Sequence, residues 1–252
     1  MEYTAKQMMA VALSRQIEDG KTYIIGTGLP LIGGTLAKNT HAPNAPLIFE
    51  TALFEGNPQE VPTSVSDLRI NYQASVLWPQ YRYFGFQALA ARTGVIDAGF
   101  LGGAQIDPYG NLNSTSIGDY FRPTTRFSGS GGANGIATYC DTVIIMKHEP
   151  RRFVEHVDYI TSPGWIEGPD GRAKRGLNDR GPRAVITELG VMRFGEDKRM
   201  YLAEYFPGVS LDTIRERTGF AMDLSRAVEA QPPEDAVLEI LLKKVDPMRI
   251  MI

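Results

Sequence analysis

The alternation of strand-like and helix-like segments is the feature that most limits the folds open to this chain. Short apolar runs typical of buried strands are separated by segments whose apolar residues recur every three or four positions, as in helices. The strand candidates are Thr22–Ile25, Leu47–Phe49, Tyr83–Phe86, Ala98–Leu101, Thr142–Met146, Phe153–Ile160 and Ala184–Thr187. This order predicts an α/β fold with a three-layer, open and largely parallel sheet that carries helices on both faces.

Helix boundaries are marked by capping residues. Thr4 and Gln7 have the spacing of a capping box, and the apolar periodicity that follows them runs until Gly20. A second helical pattern ends near Asn39, and late helices are predicted near Leu211–Thr218 and Pro233–Val245.

Composition indicates an ordinary globular protein. With 252 residues, of which 43% are hydrophobic and 22% charged, the chain can bury a sizeable core. No linker-like stretch divides it, so residues 1–252 are predicted to form one domain. The net charge of -3 implies neither nucleic acid nor an anionic membrane as a partner. The basic segment Gly171–Arg183 is expected to be a solvated loop, with a phosphate tail or an acidic partner as the alternatives.

The compartment is predicted from the amino end and the single cysteine. Lys6 and Arg15 interrupt the apolar pattern of the first segment, unlike a signal peptide, and no run of about 18 apolar residues could span a membrane. Cys140 cannot form an internal disulfide and is expected to be a buried thiol rather than a nucleophile. A cytoplasmic protein is expected.

Two glycine-rich loops have more than one interpretation. In GTGLPLIGG, Gly26 and Gly28 follow a strand, but Leu31 stands where a dinucleotide loop needs its third glycine, so a tight turn competes with a phosphate loop. In SGSGGANG, residues Ser128–Gly135, no lysine follows the glycines, which excludes a P-loop. Its bare amides could form an oxyanion hole, or the glycines could serve a flexible turn.

A polar loop between Phe100 and Tyr120 is rich in amides. Gln105, Asn111 and Asn113 either line a binding site or belong to a series of Asx turns. The histidines show no metal-binding spacing and no serine-hydrolase elbow occurs, so neither a metal site nor a Ser-type nucleophile is predicted.

One acidic residue stands out because it ends an apolar strand. In LIFETALFEG, Glu50 occupies a position where a turn residue is usual, so it is either a solvated strand end or a group aimed into a site. The residues alone leave both interpretations open.

The segments GTGLPLIGG, LIFE, GGAQIDPYGNLNSTSIGDY, TRFSGSGGANGIATY and DYITSPGWIEGP together resemble the β subunits of family I CoA-transferases of the glutaconate type. The resemblance runs nearly end to end. It implies the α/β fold of that family, a homologous α subunit, an (αβ)₂ heterotetramer, and acyl-CoA and carboxylic acids as substrates. It also implies coenzyme A as a substrate, with no permanently bound cofactor.

Residue roles follow from the same resemblance. It implies that Glu50 is the nucleophile and that the loop Gly129, Ser130, Gly131, Gly132 and Ala133 supplies amides to the oxyanion. The residues expected to line the substrate or CoA are Gly26, Gly28, Gln105, Asn111 and Asn113. The family pattern Glu-Ser-Gly is replaced here by Glu50-Thr51-Ala52, which leaves the acyl group open. The alternatives are an acyl-CoA decarboxylase or hydrolase on the same scaffold, and a nucleotide-binding or scaffolding subunit in which Glu50 only ends a strand.

Overall fold

The structure is a computed structural model, and it describes residues 1–49, 53–56, 62, 67–77, 79, 85 and 91–252. They divide into two compact units: Met1–Phe100 with Gln231–Ile252, and Leu101–Ala230. Both units contain strands and helices, which confirms the α/β prediction. The prediction that residues 1–252 form one domain stays a prediction.

The regular elements are numbered in chain order. The helices are α1 (Ala5–Ser14), α2 (Leu29–Lys38), α3 (Ala133–Tyr139), α4 (Leu211–Arg217) and α5 (Asp235–Ile240), with 3₁₀ turns at Leu68–Asn71 and Ala173–Arg175 and a π-helical turn at Leu241–Val245. The strands are β1 (Tyr23–Ile25), β2 (Leu47–Phe49), β3 (Leu53–Phe54), β4 (Val76–Leu77), β5 (Ala98–Leu101), β6 (Gln105–Ile106), β7 (Leu112–Asn113), β8 (Ser116–Ile117), β9 (Thr125–Arg126), β10 (Asp141–Ile145), β11 (Pro182–Ile186), β12 (Gly190–Phe194), β13 (Met200–Tyr205) and β14 (Val228–Glu229).

The first unit is built around the strand order β5-β1-β2-β3-β4. β1 pairs in parallel with both β5 and β2, whereas β2–β3 and β3–β4 are antiparallel. All residues of β1 and β2 are buried, as expected for short apolar strands in the interior of a parallel sheet. The predicted bounds of the strands at Leu47–Phe49 and Ala98–Leu101 are confirmed.

Helix α1 begins at the predicted capping box. The Gln7 amide donates to Thr4 Oγ1 at 3.2 Å, and the Thr4 amide donates to Gln7 Oε1 at 2.8 Å. The helix ends at Ser14, earlier than the predicted stop at Gly20, because the chain tightens there into i to i+3 hydrogen bonds such as Ile17 N to Ser14 O at 3.0 Å.

Helix α2 packs closely against α1 and the sheet through two glycines. A Cβ on Gly33 would lie 2.7 Å from Leu13 Cβ, and one on Gly34 would lie 3.1 Å from Leu47 Cδ1. These glycines therefore allow close contact with the neighbouring elements. The same core takes in α5 and the π-helical turn through Leu238 and the residues around it.

The second unit has the strand order β14-β13-β12-β11-β10. β10–β11 and β13–β14 are parallel, and β11–β12 and β12–β13 are antiparallel. Two small hairpins, β6–β7 and β8–β9, lie in the polar part of this unit. The sheets of both units are thus mixed, with parallel pairing at β5-β1-β2 and β10-β11.

The strand predicted at Phe153–Ile160 is wrong: the segment consists of turns and bends, and only Phe153 forms an isolated bridge, with Ile106. The apolar side chain of Phe153 is buried, but most of the residues from 154 to 160 are exposed, unlike those of a buried strand. The strand predicted at Tyr83–Phe86 lies, apart from Gly85, outside the described residues. None of the helices in the described ranges has the length and apolar character needed to cross a membrane.

Candidate active site

Glu50, the predicted nucleophile, follows directly on β2 and lies outside the described residues. Ile25 at the end of β1 pairs with Phe49 at the end of β2 in parallel register. The carboxyl ends of these strands therefore meet at one edge of the sheet, where ligands bind in folds of this class. Phe49 also pairs with Leu53 of the antiparallel β3, so only three residues join β2 to β3. The role of Glu50 stays a prediction.

The first glycine loop connects β1 to α2 as a tight turn. Gly28 caps α2 with a φ of 81°, a backbone conformation that favours glycine. Its carbonyl accepts from the amides of Leu31 and Ile32 at 3.1 and 3.3 Å. A Cβ on Gly26 or Gly28 would meet nothing within 4 Å, so backbone conformation rather than crowding explains Gly28. This geometry favours the turn interpretation, and contact of either glycine with CoA or substrate stays a prediction.

The second glycine loop, Gly129–Ala133, joins β9 to α3. Gly129 and Gly131 have φ values of 90° and 51°, in the left-handed region where other residues are strained. The Gly129 amide donates to the Ser114 carbonyl at 3.0 Å, which ties the start of the loop to the strand segment beside it. Space is not the reason for glycine here, since a Cβ on Gly129 would meet nothing within 4 Å.

Three successive residues of this loop use their carbonyls internally. Ser130 O accepts from the Ala133 amide, Gly131 O from the Ser130 hydroxyl, and Gly132 O from the Ile136 amide. Throughout the ranges that the structure describes, the amides of Ser130, Gly131 and Gly132 have no acceptor. Three successive donors without partners form a surface that suits negative charge, as an oxyanion hole requires.

Asn111, one of the predicted lining residues, has a buried side chain that hydrogen-bonds to three other residues. Its Nδ2 donates to Asp107 Oδ2 at 2.7 Å and to the Ile166 carbonyl at 2.8 Å. Its Oδ1 accepts from the amides of Gly164 and Ile166 at 2.8 and 3.2 Å. The side chain is 1% exposed, and both its donors and its acceptor are used inside the protein. These bonds are internal but not those of an Asx turn, because the Gly164 and Ile166 amides lie more than 50 positions away; contact of Asn111 with substrate or CoA stays a prediction.

Asp107 is the ionisable partner of the Asn111 side chain. Burial raises its pKa to about 6, although the amides of Tyr109 and Asn111 and the Asn111 side chain donate to it and oppose the rise. The carboxyl organises the turn around Asn111 rather than facing a ligand site.

Gln105 and Asn113 form a second internal pair across the β6–β7 hairpin. Asn113 Nδ2 donates to Gln105 Oε1 and to the Ser116 carbonyl, both at 2.7 Å, and Gln105 Nε2 donates to Asp158 Oδ2 at 3.3 Å. Asn113 is 0% exposed and Gln105 is 5% exposed. Their contact with substrate or CoA stays a prediction, and their observed bonds are structural.

A cleft of about 380 Å³ lies in the second unit next to Gln105. It is lined by Ala104, Gln105, Ile117, Thr125, Phe127, Arg151 and Arg152. Arg151 and Arg152 both contact the Glu149 carboxylate, at 2.8 and 3.2 Å. Gln105 thus borders open space, and the same cleft is lined by Phe127, which lies two positions before Gly129.

The basic segment Gly171–Arg183 contains a residue that sequence reasoning misjudged. The expectation of a solvated loop is wrong for Arg172, which is 1% exposed. Other members of the segment fit the expectation, since Arg175 is exposed and pairs with Glu167 at 2.9 Å. The burial of Arg172 had no recognisable sequence signal, because its acceptors are mostly backbone carbonyls, and those of Ala137 and Thr138 lie 35 and 34 positions away.

The remaining candidates for chemistry are placed in the core. Cys140 and His148 are each 0% exposed, which agrees with the expected buried thiol. Across the ranges covered by the structure, no group of three or more His, Cys, Asp or Glu side chains could hold a metal ion.

Comparisons with known proteins assign the family. The model of the coenzyme A transferase family matches residues 6–217. The B subunit of glutaconate CoA-transferase from Acidaminococcus fermentans is 51% identical over 97% of this chain and 93% of its own length. The B subunit of 3-oxoadipate CoA-transferase from Pseudomonas knackmussii is 36% identical over 95% of this chain and 92% of its own length. The crystal structure of glutaconate coenzyme A-transferase from A. fermentans superimposes with a TM-score of 0.95 at 49% identity, covering 99% of this chain and 97% of the other.

This chain therefore belongs to the coenzyme A transferase family. The similarity extends over nearly its whole length and includes the fold. Coenzyme A is a substrate in this family, and the relatives are subunits, which implies a partner chain.

Proposed function

We propose that this chain is the β subunit of an enzyme that transfers CoA between carboxylic acids through a glutamyl-CoA thioester on Glu50. The observation that carries the proposal is the row of unbonded amides at Ser130, Gly131 and Gly132 in a chain of this family. The position of Glu50 directly after a buried strand of the parallel sheet adds support.

The first half of the reaction loads the enzyme. The ionised Glu50 carboxylate attacks the acyl carbonyl of acyl-CoA, and the C–S bond breaks to give a mixed anhydride and the CoA thiolate. The thiolate then attacks the Glu50 carbonyl of the anhydride. The acyl group leaves as the free carboxylate, and CoA remains on Glu50 as a thioester.

The second half reverses these steps with another acid. The incoming carboxylate attacks the Glu50 thioester and releases the CoA thiolate, and the thiolate attacks the acyl carbonyl of the new anhydride. A new acyl-CoA leaves and the Glu50 carboxylate is restored. Exclusion of water keeps the anhydride and the thioester from hydrolysis.

The glycine loop is proposed to stabilise these steps. Each attack makes a carbonyl tetrahedral and places negative charge on its oxygen, and preformed amide donors stabilise that charge. Loss of one such donor typically lowers the rate by about 10²- to 10³-fold. Ser130, Gly131 and Gly132 are proposed as the donors, because their amides have no competing acceptor in the described part of the chain.

Glutaconate or a related dicarboxylic or short acyl group is the proposed substrate class, because the similar subunits are those of glutaconate and 3-oxoadipate CoA-transferases. Ala52 in place of glycine beside Glu50 is proposed to tune this choice. The enzyme is proposed to be an (αβ)₂ heterotetramer with a homologous α subunit, to be cytoplasmic and to need no permanently bound cofactor. A decarboxylase or hydrolase is not favoured, since the relatives of high identity are transferase subunits.

Exchange assays on the co-expressed αβ complex test the proposal. Glutaconyl-CoA and 3-oxoadipyl-CoA are each mixed with acetate, and the formation of acetyl-CoA is followed. Glu50→Gln should abolish exchange, whereas Glu55→Gln, at a nearby carboxylate that accepts from the Ser75 hydroxyl, should retain it. Full exchange by Glu50→Gln would reject the mechanism. Continuous release of free CoA without an acceptor acid would instead indicate a hydrolase, and release of CO₂ with CoA still on the shortened acyl group would indicate a decarboxylase.

A further inference from the structure

Arg172 is a buried cation whose hydrogen bonds all go to uncharged oxygen atoms, although the charges of Asp179 and Asp141 favour its charged form. Its guanidinium makes six hydrogen bonds, to the carbonyls of Ala137, Thr138, Pro163, Gly164 and Asn178 and to Asn178 Oδ1, at 2.7 to 3.4 Å. Burial lowers the pKa of Arg172 to about 10, so the group is still charged at neutral pH. Burying a charge is costly unless it is fully hydrogen-bonded. Only an arginine fork can serve this many acceptors at once.

Two of these acceptors belong to the last turn of α3. The carbonyls of Ala137 and Thr138 accept from Arg172, and the Tyr139 carbonyl accepts from Asn178 Nδ2 at 3.0 Å. The final carbonyls of a helix have no partners within the helix itself. Arg172 and Asn178 supply these partners and so fix the carboxyl end of α3.

The same guanidinium joins α3 to the buried segment Thr161–Trp165. It bridges the carbonyls of Gly164 and Ala137, and at the other end of α3 Asn134 Nδ2 donates to the Thr161 carbonyl at 2.9 Å. The segment is in turn fixed by Asn111, which accepts from the Gly164 amide. Helix α3 is therefore attached to one rigid segment at both ends.

Helix α3 needs such attachment because its sequence, ANGIATY, forms a helix poorly. It has seven residues and contains glycine, asparagine and threonine. A helix this short would not persist without tertiary contacts. Its length of about 10 Å makes it a short rod whose position is decided by its anchors.

The first residue of α3 is the last residue of the glycine loop. Ala133 donates to the Ser130 carbonyl and Ile136 donates to the Gly132 carbonyl, so the loop and the first turn share hydrogen bonds. A shift of α3 would therefore move the amides of Ser130, Gly131 and Gly132. Oxyanion donors must lie about 2.7–3.1 Å from the oxygen they stabilise, and misplacement by about 1 Å can lower a rate by about 10²-fold.

We infer that Arg172 is a positioning residue for the glycine loop: by holding the carboxyl end of α3 to the Thr161–Trp165 segment, it sets where the loop amides meet the oxyanion. This inference rests on the proposed CoA-transfer function. Arg172 would thus control the position of the loop amides through α3, without touching the substrate itself.

The test uses the αβ complex with Arg172→Lys and Arg172→Met, and with Arg175→Lys as a control at an exposed arginine of the same turn. We expect kcat to fall about 10- to 100-fold in Arg172→Met and less in Arg172→Lys, with the KM for acyl-CoA and acid within about twofold of wild type. Arg175→Lys should keep full activity. Labelling of Glu50 by a water-soluble carbodiimide, which does not need the loop amides, should proceed at the wild-type rate.

Asn178→Ala provides a second variant in case the arginine variants fail to assemble. It leaves Arg172 in place and removes the donor to Tyr139 and one acceptor of the guanidinium. Its kcat should fall about threefold to tenfold with KM unchanged. Wild-type kcat in an assembled Arg172→Met or Asn178→Ala complex would overturn the inference. The inference would also be overturned if kcat fell, KM rose and the labelling of Glu50 slowed together. Failure of the proposed function is seen separately, as activity that survives Glu50→Gln.

Discussion

Acid should weaken the fold through one buried imidazole, that of His148. The ring stacks on Phe153 with centroids 4.1 Å apart. Its Nδ1 lies 3.1 Å from Thr187 Oγ1 and its Nε2 lies 2.9 Å from Thr218 Oγ1. Because the Thr218 hydroxyl donates to the Ile214 carbonyl, it accepts from Nε2, which leaves Nδ1 as the acceptor; it faces the Thr187 hydroxyl, for which the Gly190 carbonyl at 3.5 Å is a longer, competing acceptor. In the neutral ring, both nitrogens therefore have a hydrogen-bonding partner.

The size of the effect follows from the pKa of His148. Burial, and then the positive charge of Arg217, lower this pKa from 6.5 to about 4. Glu188, which accepts from the His148 backbone amide and faces Arg217, is the opposing charge nearby. Since the folded pKa is the lower one, the contribution to stability is complete above the unfolded pKa and is lost as the pH falls toward the folded pKa. The loss is about 2 kcal/mol at about pH 5 and about 3.4 kcal/mol when complete.

Urea unfolding of the αβ complex at fixed protein concentration measures this loss. Wild type and His148→Gln are compared at about pH 7.5 and about pH 5, with the exposed His41→Gln as control. Asp107 has a raised pKa, so its contribution to stability grows as the pH falls and partly masks the effect in wild type alone. It is common to all three proteins and cancels in the comparison.

The free energy of unfolding of wild type and of His41→Gln should fall by about 2 kcal/mol more than that of His148→Gln. Equal falls in all three proteins would refute the assignment of a neutral, buried His148.

Three further substitutions test particular contacts. Gly129→Ala should lower the free energy of unfolding by roughly 1–2 kcal/mol because Gly129 has a positive φ. Gly135→Ala should raise it by roughly 0.5–1 kcal/mol, because Gly135 lies inside α3 and a Cβ there would meet nothing within 4 Å. Urea unfolding midpoints measure both changes. Asn111→Ala should cost about 2–4 kcal/mol, since the Gly164 amide it binds would be left buried without an acceptor, and a loss under about 1 kcal/mol would contradict this. Gly33→Ala should lower the stability by about 1–3 kcal/mol, seen as a lower Tm, because its Cβ would lie 2.7 Å from Leu13 Cβ; an unchanged Tm would contradict the close packing.

Features set by neighbouring residues were predictable from the sequence. The Thr4 and Gln7 capping box, the strand Leu47–Phe49 and the turn at Gly28 all depend on side chains or backbone conformations within a few positions. Their physical causes are local, and the sequence displays them directly. The family was identified from longer segments whose amino-acid sequences are distinctive.

Features set by distant contacts were not predictable from the residues. Arg172 sits in a basic run that resembles a solvated loop, and only the fold brings five backbone carbonyls around it. Asn111 was one of several amides in a polar loop, and its internal role depends on amides more than 50 positions away. The segment Phe153–Ile160 had strand-like composition, but a strand also needs a partner along its length, and Phe153 alone has one.

The most direct test of the proposed mechanism is the intact mass of this chain after the αβ complex has been exposed to acyl-CoA without an acceptor acid. We expect an increase equal to the mass of CoA less one water, located by peptide mapping on Glu50, removed by adding acetate and absent from Glu50→Gln. An unmodified chain in a complex that nevertheless exchanges CoA at full rate would contradict it.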